Sequence, residues 1–263
     1  MNYRDIILAF GLTMIAGLST GIGSLIAFFA TRTDTRFLSA SLGLSAGVMI
    51  YVSFMELMPE SVSLLGQLYP ERMASFYMLL AFFSGIALIA IIDRLVPEDE
   101  NPHELHSESD QPAPSRLKRT GIMMALAIGI HNFPEGLATF TSALSDIEIA
   151  VPIVFAIAIH NIPEGVAVSA PIYHSTQSKK KAFWYSFLSG MAEPIGALVG
   201  FLFLLPFWTP SINALLLAGV SGIMVYISFD ELLPSTERFG HHHWGISGVI
   251  AGMAIMAGSL LLL

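Results

Sequence analysis

Two short motifs hold the residues best able to do chemistry. HNFPEG occupies 131–136 and HNIPEG occupies 160–165. In each, a histidine precedes a glutamate by four residues: His131 with Glu135, and His160 with Glu164. On a helix, residues at i and i+4 share a face. Asn132 and Asn161 stand three residues before those glutamates and border the same face. Pro134 and Pro163 have no N–H, so the carbonyls of Ile130 and Ile159 lose their helical partners. Gly136 and Gly165 permit close backbone approach. Each motif thus offers an imidazole, a carboxylate, an amide oxygen and a loosened backbone. Ligands of this type suit divalent transition metals, and two facing motifs can hold two ions.

The elements that must position these motifs are membrane spans. The chain has 263 residues, of which 54% are hydrophobic and only 12% charged. Soluble domains carry roughly 25% charged residues. Here the charges cluster and leave apolar stretches of about 20 residues, the length a bilayer demands. The pattern predicts an all-α integral membrane protein with eight spans, near 5–30, 37–59, 73–96, 120–143, 149–172, 182–206, 212–234 and 244–263. Arg4 and Asp5 precede an apolar run without a small-residue cleavage pattern, so that run reads as the first span rather than a signal peptide. The whole of 1–263 reads as a single transmembrane domain, with one substantial polar loop at about 97–119.

Each motif falls near the middle of its span, and a short turn joins the two. Spans 4 and 5 should therefore form an antiparallel hairpin with the motifs at matched depth. Glu193, in MAEP at 191–194, is a third deep carboxylate, again followed by proline. Each ionised residue at mid-bilayer costs about 2.5–3.5 kcal/mol on insertion scales, so Glu135, Glu164 and Glu193 together cost on the order of 8–10 kcal/mol. Bound divalent cations offset such a cost; apolar packing does not.

The chain also repeats itself. AGVMIYVSFMELMPES (46–61) aligns with SGIMVYISFDELLPST (221–236), with eight of sixteen positions identical. A weaker match sets GLSTGIGSL (17–25) against GMAEPIGAL (190–198), pairing Thr20 with Glu193. The copies lie in spans that cross in opposite senses. Spans 1–3 and 6–8 thus read as inverted repeats around the central hairpin, a 3+2+3 plan typical of secondary transporters. Arg32, Arg36, Arg94, Arg116, Lys118, Arg119, Lys179, Lys180, Lys181 and Arg238 gather on one side, leaving Arg4 and Arg72 on the other. The positive-inside rule places the first side in the cytoplasm and both termini outside.

These motifs resemble those of the ZIP (Zrt-, Irt-like protein) family of divalent metal transporters, most closely its bacterial ZupT-type members, and the resemblance spans nearly the whole chain. It implies eight spans, extracytoplasmic termini in a bacterial inner membrane, and uptake of zinc and related ions. It implies a two-metal site with His131, Asn132 and Glu135 as one ligand set and His160, Asn161 and Glu164 as the other. Glu193 matches the carboxylate that the family's sixth helix contributes. An elevator-like or rocking motion is implied for alternating access.

Further acids and histidines fit a cation path. Glu56 is expected near the outer end of span 2, and Asp230 and Glu231 near the inner end of span 7, as entrance and exit stations. His103, His106, His174, His241, His242 and His243 fall on cytoplasmic loops, where they can capture emerging metal or stand as ordinary solvated residues. Glu60, Glu71, Asp146 and Glu148 make the outer face negative. Tyr51, Tyr226 and the methionines are read as packing, and Gly17, Gly21, Gly47 and Gly222 as close helix contacts.

Nitrogen and oxygen ligands without thiolate argue against copper(I), and pure oxygen sites are expected for calcium or magnesium. Zinc reads first, with iron(II), manganese, cobalt and cadmium next, each as cargo rather than cofactor. The absence of cysteine excludes disulfides and thiolate sites. A net charge of −8 gives no sign of a nucleic-acid partner. The expected partners are divalent ions and the lipid bilayer, and a homodimer is compatible with both. A metal-selective channel is the alternative to a carrier. An intramembrane metal hydrolase is the third reading, though no H-E-x-x-H arrangement is present.

Overall fold

The computed structural model describes residues 3–29, 35–95, 114–145, 147–204, 207, 209–238 and 240–262. His103, His106, Arg32 and Asp146 lie outside the described residues, as do the side chains of Arg116, Lys118, Arg119, Glu148 and Arg238. Among the described residues every regular element is helical. The chain folds into α1 (Tyr3–Phe29), α2 (Thr35–Val52), α3 (Met58–Gly66), α4 (Glu71–Leu95), α5 (Pro114–Ser145) and α6 (Ile147–Thr176). It continues through α7 (Lys179–Gly190), α8 (Ala192–Val199), α9 (Pro210–Ile227), α10 (Leu233–Arg238) and α11 (His242–Leu262). A π-helical turn, Ser53–Leu57, joins α2 to α3, and another, Ser228–Leu232, joins α9 to α10.

Local chemistry explains several boundaries. Ser178 caps α7 by accepting from the Lys181 N–H, and Thr209 caps α9 by accepting from the Ile212 N–H at 3.2 Å. Helix α5 begins at Pro114, inside the stretch expected as loop. Proline is favoured at a first helical turn, where a missing N–H loses nothing. These two π turns share a cause as well as a sequence, SFMEL and SFDEL, while a third, Gly200–Leu204, follows α8. Pro59 and Pro234 follow each by two residues. A helical proline crowds the carbonyl four residues back. Those carbonyls belong to Met55 and Asp230, inside the widened turns.

Six helical stretches are long and apolar enough to cross a membrane: Tyr3–Leu25, Thr35–Gly66, Glu71–Arg94, Lys179–Phe203, Pro210–Glu237 and His242–Leu261. Helices α5 and α6, of 32 and 30 residues, lie among them. Large apolar side chains cover the exterior, with Phe83 60% and Ile250 63% exposed. Water would penalise such a surface; lipid does not. A core of Leu42, Met49, Met124, Ile128, Ile172 and Met224 binds α2, α5, α6 and α9 together.

The contacts of the two repeat copies match pairwise. A Cβ added to Gly47 would strike the Val249 carbonyl on α11, and one added to its counterpart Gly222 would strike the Phe82 carbonyl on α4. Ser61 Oγ donates to the Ala214 carbonyl at 2.7 Å, and Ser39 Oγ donates to the Thr236 carbonyl at 2.9 Å. Ser61 and Thr236 are counterparts in the alignment, as are Ser39 and Ala214 when it is extended. Gly21 makes only an ordinary contact, with Phe187. Tyr51 and Tyr226 pack against the core, in keeping with their sequence reading.

Candidate metal centre

The hairpin of α5 and α6 brings the two motifs face to face. His131 and His160 have ring centroids 6.4 Å apart. Each histidine meets the glutamate of the opposite motif: His131 Nε2 lies 3.1 Å from Glu164 Oε1, and His160 Nε2 lies 3.0 Å from Glu135 Oε1. Within α5, His131 Nε2 is 3.7 Å from Glu135 Oε2, as an i, i+4 pair should be. One ligand atom from each of His131, His160 and Glu164 falls within 4.8 Å of the other two.

The asparagines are held by backbone from outside the hairpin. Asn132 Nδ2 donates to the Ser189 carbonyl on α7 at 3.3 Å. Asn161 Nδ2 donates to the Ala16 carbonyl on α1 at 3.0 Å and also to Glu193 Oε1 on α8. Extending the 17–25 and 190–198 alignment by one residue makes Ala16 and Ser189 counterparts, so the two amides are held in equivalent ways. With each Nδ2 engaged, each Oδ1 is left for another partner.

The glycines of the motifs set how closely these supports approach. A Cβ on Gly136 would strike the Glu193 carbonyl, and one on Gly165 would strike the Thr20 carbonyl. Thr20 and Glu193 are therefore counterparts in space as well as in sequence. Pro194 deprives the Gly190 carbonyl of its helical N–H, and the helix turns at Met191, two residues before Glu193.

Burial is complete enough to make the electrostatics severe. None of His131, Asn132, Glu135, His160, Asn161, Glu164 and Glu193 is more than 5% exposed. Nδ1 of both histidines, Oδ1 of both asparagines and Oε2 of all three glutamates find no hydrogen-bond partner among the described residues. A buried acceptor without a donor costs roughly 1–3 kcal/mol. Seven such atoms in one buried place form a lone-pair-rich cluster that a divalent cation would satisfy.

The other sequence candidates separate by location. Glu56, half-buried in the first π turn, is within electrostatic reach of His160 and Glu135. Asp230 and Glu231 belong elsewhere: Glu231 neighbours Asp230 and Asp93, and Tyr226 hydrogen-bonds to Asp230. His174 lies in the last turn of α6, fourteen residues and so about 21 Å of helix from His160. His241 Nε2 lies 3.0 Å from Thr35 Oγ1, His242 Nδ1 lies 3.2 Å from Glu237 Oε1, and His243 is exposed beside His242. Sequence reasoning missed Asp93, whose carboxylate ends a span as many solvated acids do. It also missed the Ala16 and Ser189 carbonyls, which no side chain advertises. The repeat alignment, carried one position further, pairs them. Thr139, one turn beyond Glu135, and Ser24, one turn beyond Thr20, add buried hydroxyls without partners among the described residues.

Comparison with known proteins identifies the family. The family model described as ZIP Zinc transporter matches residues 93–260. The chain is 59% identical to the zinc transporter ZupT of Nitratidesulfovibrio vulgaris, over 98% of each chain. It is 59% identical to the ZupT zinc transporter of Streptococcus mutans over 97% of each, and 54% identical to that of Akkermansia muciniphila over 98% of each. The chain is an integral membrane protein that belongs to the ZIP family of zinc transporters.

Proposed function

We propose that the protein moves zinc and related divalent ions across a cytoplasmic membrane into the cytoplasm, through a two-metal site between α5, α6 and α8. As a member of a transporter family it is not an enzyme. The observation that carries the reading is the crossed, fully buried pairing of His131 with Glu164 and of His160 with Glu135. The names of its relatives support zinc as cargo. The same nitrogen and oxygen ligands would accept iron(II), manganese, cobalt and cadmium. His131, Asn132 and Glu135 form one ligand set and His160, Asn161 and Glu164 the other, with Glu193 completing the site from α8.

In this reading α5 and α6 cross the bilayer along with the six long apolar stretches, eight spans in all, with both termini outside and spans 1–3 and 6–8 as inverted repeats. The matched glycine and serine contacts support the repeats. Glu56 serves the approach to the site; Asp230 and Glu231 serve the departure. Ligands must be deprotonated to bind metal, so cation binding expels protons shared between imidazole and carboxylate. A carrier alternating between two openings fits this better than a continuous pore, because none of the seven side chains is more than 5% exposed. The test is zinc uptake into proteoliposomes with and without a pH gradient. Saturable uptake with counterflow supports a carrier. Unsaturable electrodiffusive flux supports a channel, and absence of flux removes the reading.

A further inference from the structure

A groove of about 680 Å³ runs along the outside of the bundle between α5 and the α7–α8 rod. Leu126, Gly129 and Phe133 line it from α5, and Tyr185, Leu188 and Ala192 from the opposite wall. It faces outward: Leu126 is 50% and Leu188 60% exposed. In an integral membrane protein that exterior meets lipid. The α7–α8 wall reads as one helical stripe, with spacings of three and four residues from Tyr185 to Leu188 to Ala192. One turn before Tyr185, the same stripe begins with Lys181, which is exposed, as is its neighbour Lys180. From Lys181 to Ala192 is eleven residues, about 16 Å of helix. Half of a bilayer's hydrocarbon core is about 15 Å. The stripe therefore sets a cationic end one turn beyond an apolar trough, over about the depth of one leaflet.

We infer that this groove seats an acyl chain of an acidic phospholipid whose phosphate is held by Lys180 and Lys181. The occupant would bear on the metal centre, because the walls are shared. Ser189 lines the groove, and its carbonyl holds Asn132. Phe133 and Pro134 line it too, and they belong to the first metal motif. A lipid wedged there braces α5 against α7 at the depth of the ligands.

The experiment is native mass spectrometry of protein released from vesicles of equal phosphatidylglycerol and phosphatidylcholine. Two variants separate the parts. Gly129→Leu grows a side chain into the trough; an added Cβ there meets nothing nearer than Ser189 Cα at 3.9 Å, so the fold should tolerate it. The double variant K180Q/K181Q removes the head charges and leaves the trough. The wild type should retain phosphatidylglycerol over phosphatidylcholine by about tenfold or more, given the attraction of two lysines for an anionic headgroup. K180Q/K181Q should keep bound lipid but lose the preference. Gly129→Leu should lose retention of both lipids, while its thermal midpoint in lipid-free detergent matches that of the wild type. If Gly129→Leu retains lipid as the wild type does, or the preference survives loss of both lysines, the inference is overturned. A wild-type dimer that Gly129→Leu splits would assign the groove to a second copy of the chain and would also overturn it. None of these readouts depends on zinc transport.

Discussion

Gly17 on α1 and Gly190 at the end of α7 pack backbone to backbone. A Cβ on Gly17 would lie 2.6 Å from the Gly190 carbonyl oxygen, and one on Gly190 would strike the Gly17 carbonyl and come within 2.8 Å of Thr20 Oγ1. The two glycines head the 17–25 and 190–198 repeat copies, so this contact joins the copies at their corresponding residues. It also fixes how far Thr20 and Glu193 stand from the hairpin.

Gly190→Ala should therefore destabilise the protein by about 1–3 kcal/mol, the usual cost of overpacking. Gly11, on the same α1, has nothing within 4 Å of an added Cβ. Gly11→Ala should be neutral or stabilising by up to about 1 kcal/mol, as for an unhindered helical glycine. Thermal midpoints of the two variants in detergent check the contrast.

His131→Ala and Glu164→Ala should each abolish zinc uptake, and the double variant should be no worse than either. The 3.1 Å contact makes the two side chains one functional unit, and such pairs are not additive. Zinc affinity by competition with a chelating dye measures the cycle. Additive losses would mean that the two residues serve separate steps.

Asn161→Ala should weaken zinc binding by about 10–100-fold, the range for residues that orient metal ligands. Asn161 can offer its own Oδ1 and also positions Glu193 through Nδ2. Asn161→Ala combined with Glu193→Ala should therefore bind little worse than Asn161→Ala alone. Isothermal titration of the purified variants decides this.

Much of the site was legible because helical spacing is rigid. The i, i+4 pairing of His131 with Glu135 follows from sequence alone and stands at 3.7 Å. The crossed pairing follows only from the hairpin, since His131 meets Glu164 across 33 positions of chain. Matched motif depth made that meeting an expectation but left its partners open. The anchoring of Asn132 and Asn161 was not legible, because backbone carbonyls carry no residue signature. The break before Glu193 was half legible: Pro194 announces a lost hydrogen bond, whereas the close packing of Gly190 on Gly17 of α1, beside the turn at Met191, carries no such signature. The π turns were hidden for a similar reason. Pro59 and Pro234 signal crowding, but whether a helix kinks or widens is settled by packing.

Glu56→Gln should slow zinc uptake several-fold at low ionic strength and much less at high salt. Its half-buried carboxylate lies within electrostatic reach of His160 and Glu135 and adds attraction along the approach, an effect that salt screens over about 8–10 Å. Initial uptake rates at two salt concentrations check it. An effect independent of salt would assign Glu56 to metal ligation instead.

Anomalous diffraction from zinc-soaked crystals tests the central claim most directly. The account predicts a zinc peak between His131 and His160, with imidazole nitrogens at about 2.0–2.1 Å, and loss of that peak in His131→Ala. Strong zinc peaks elsewhere in the protein, with none between α5 and α6, would contradict it.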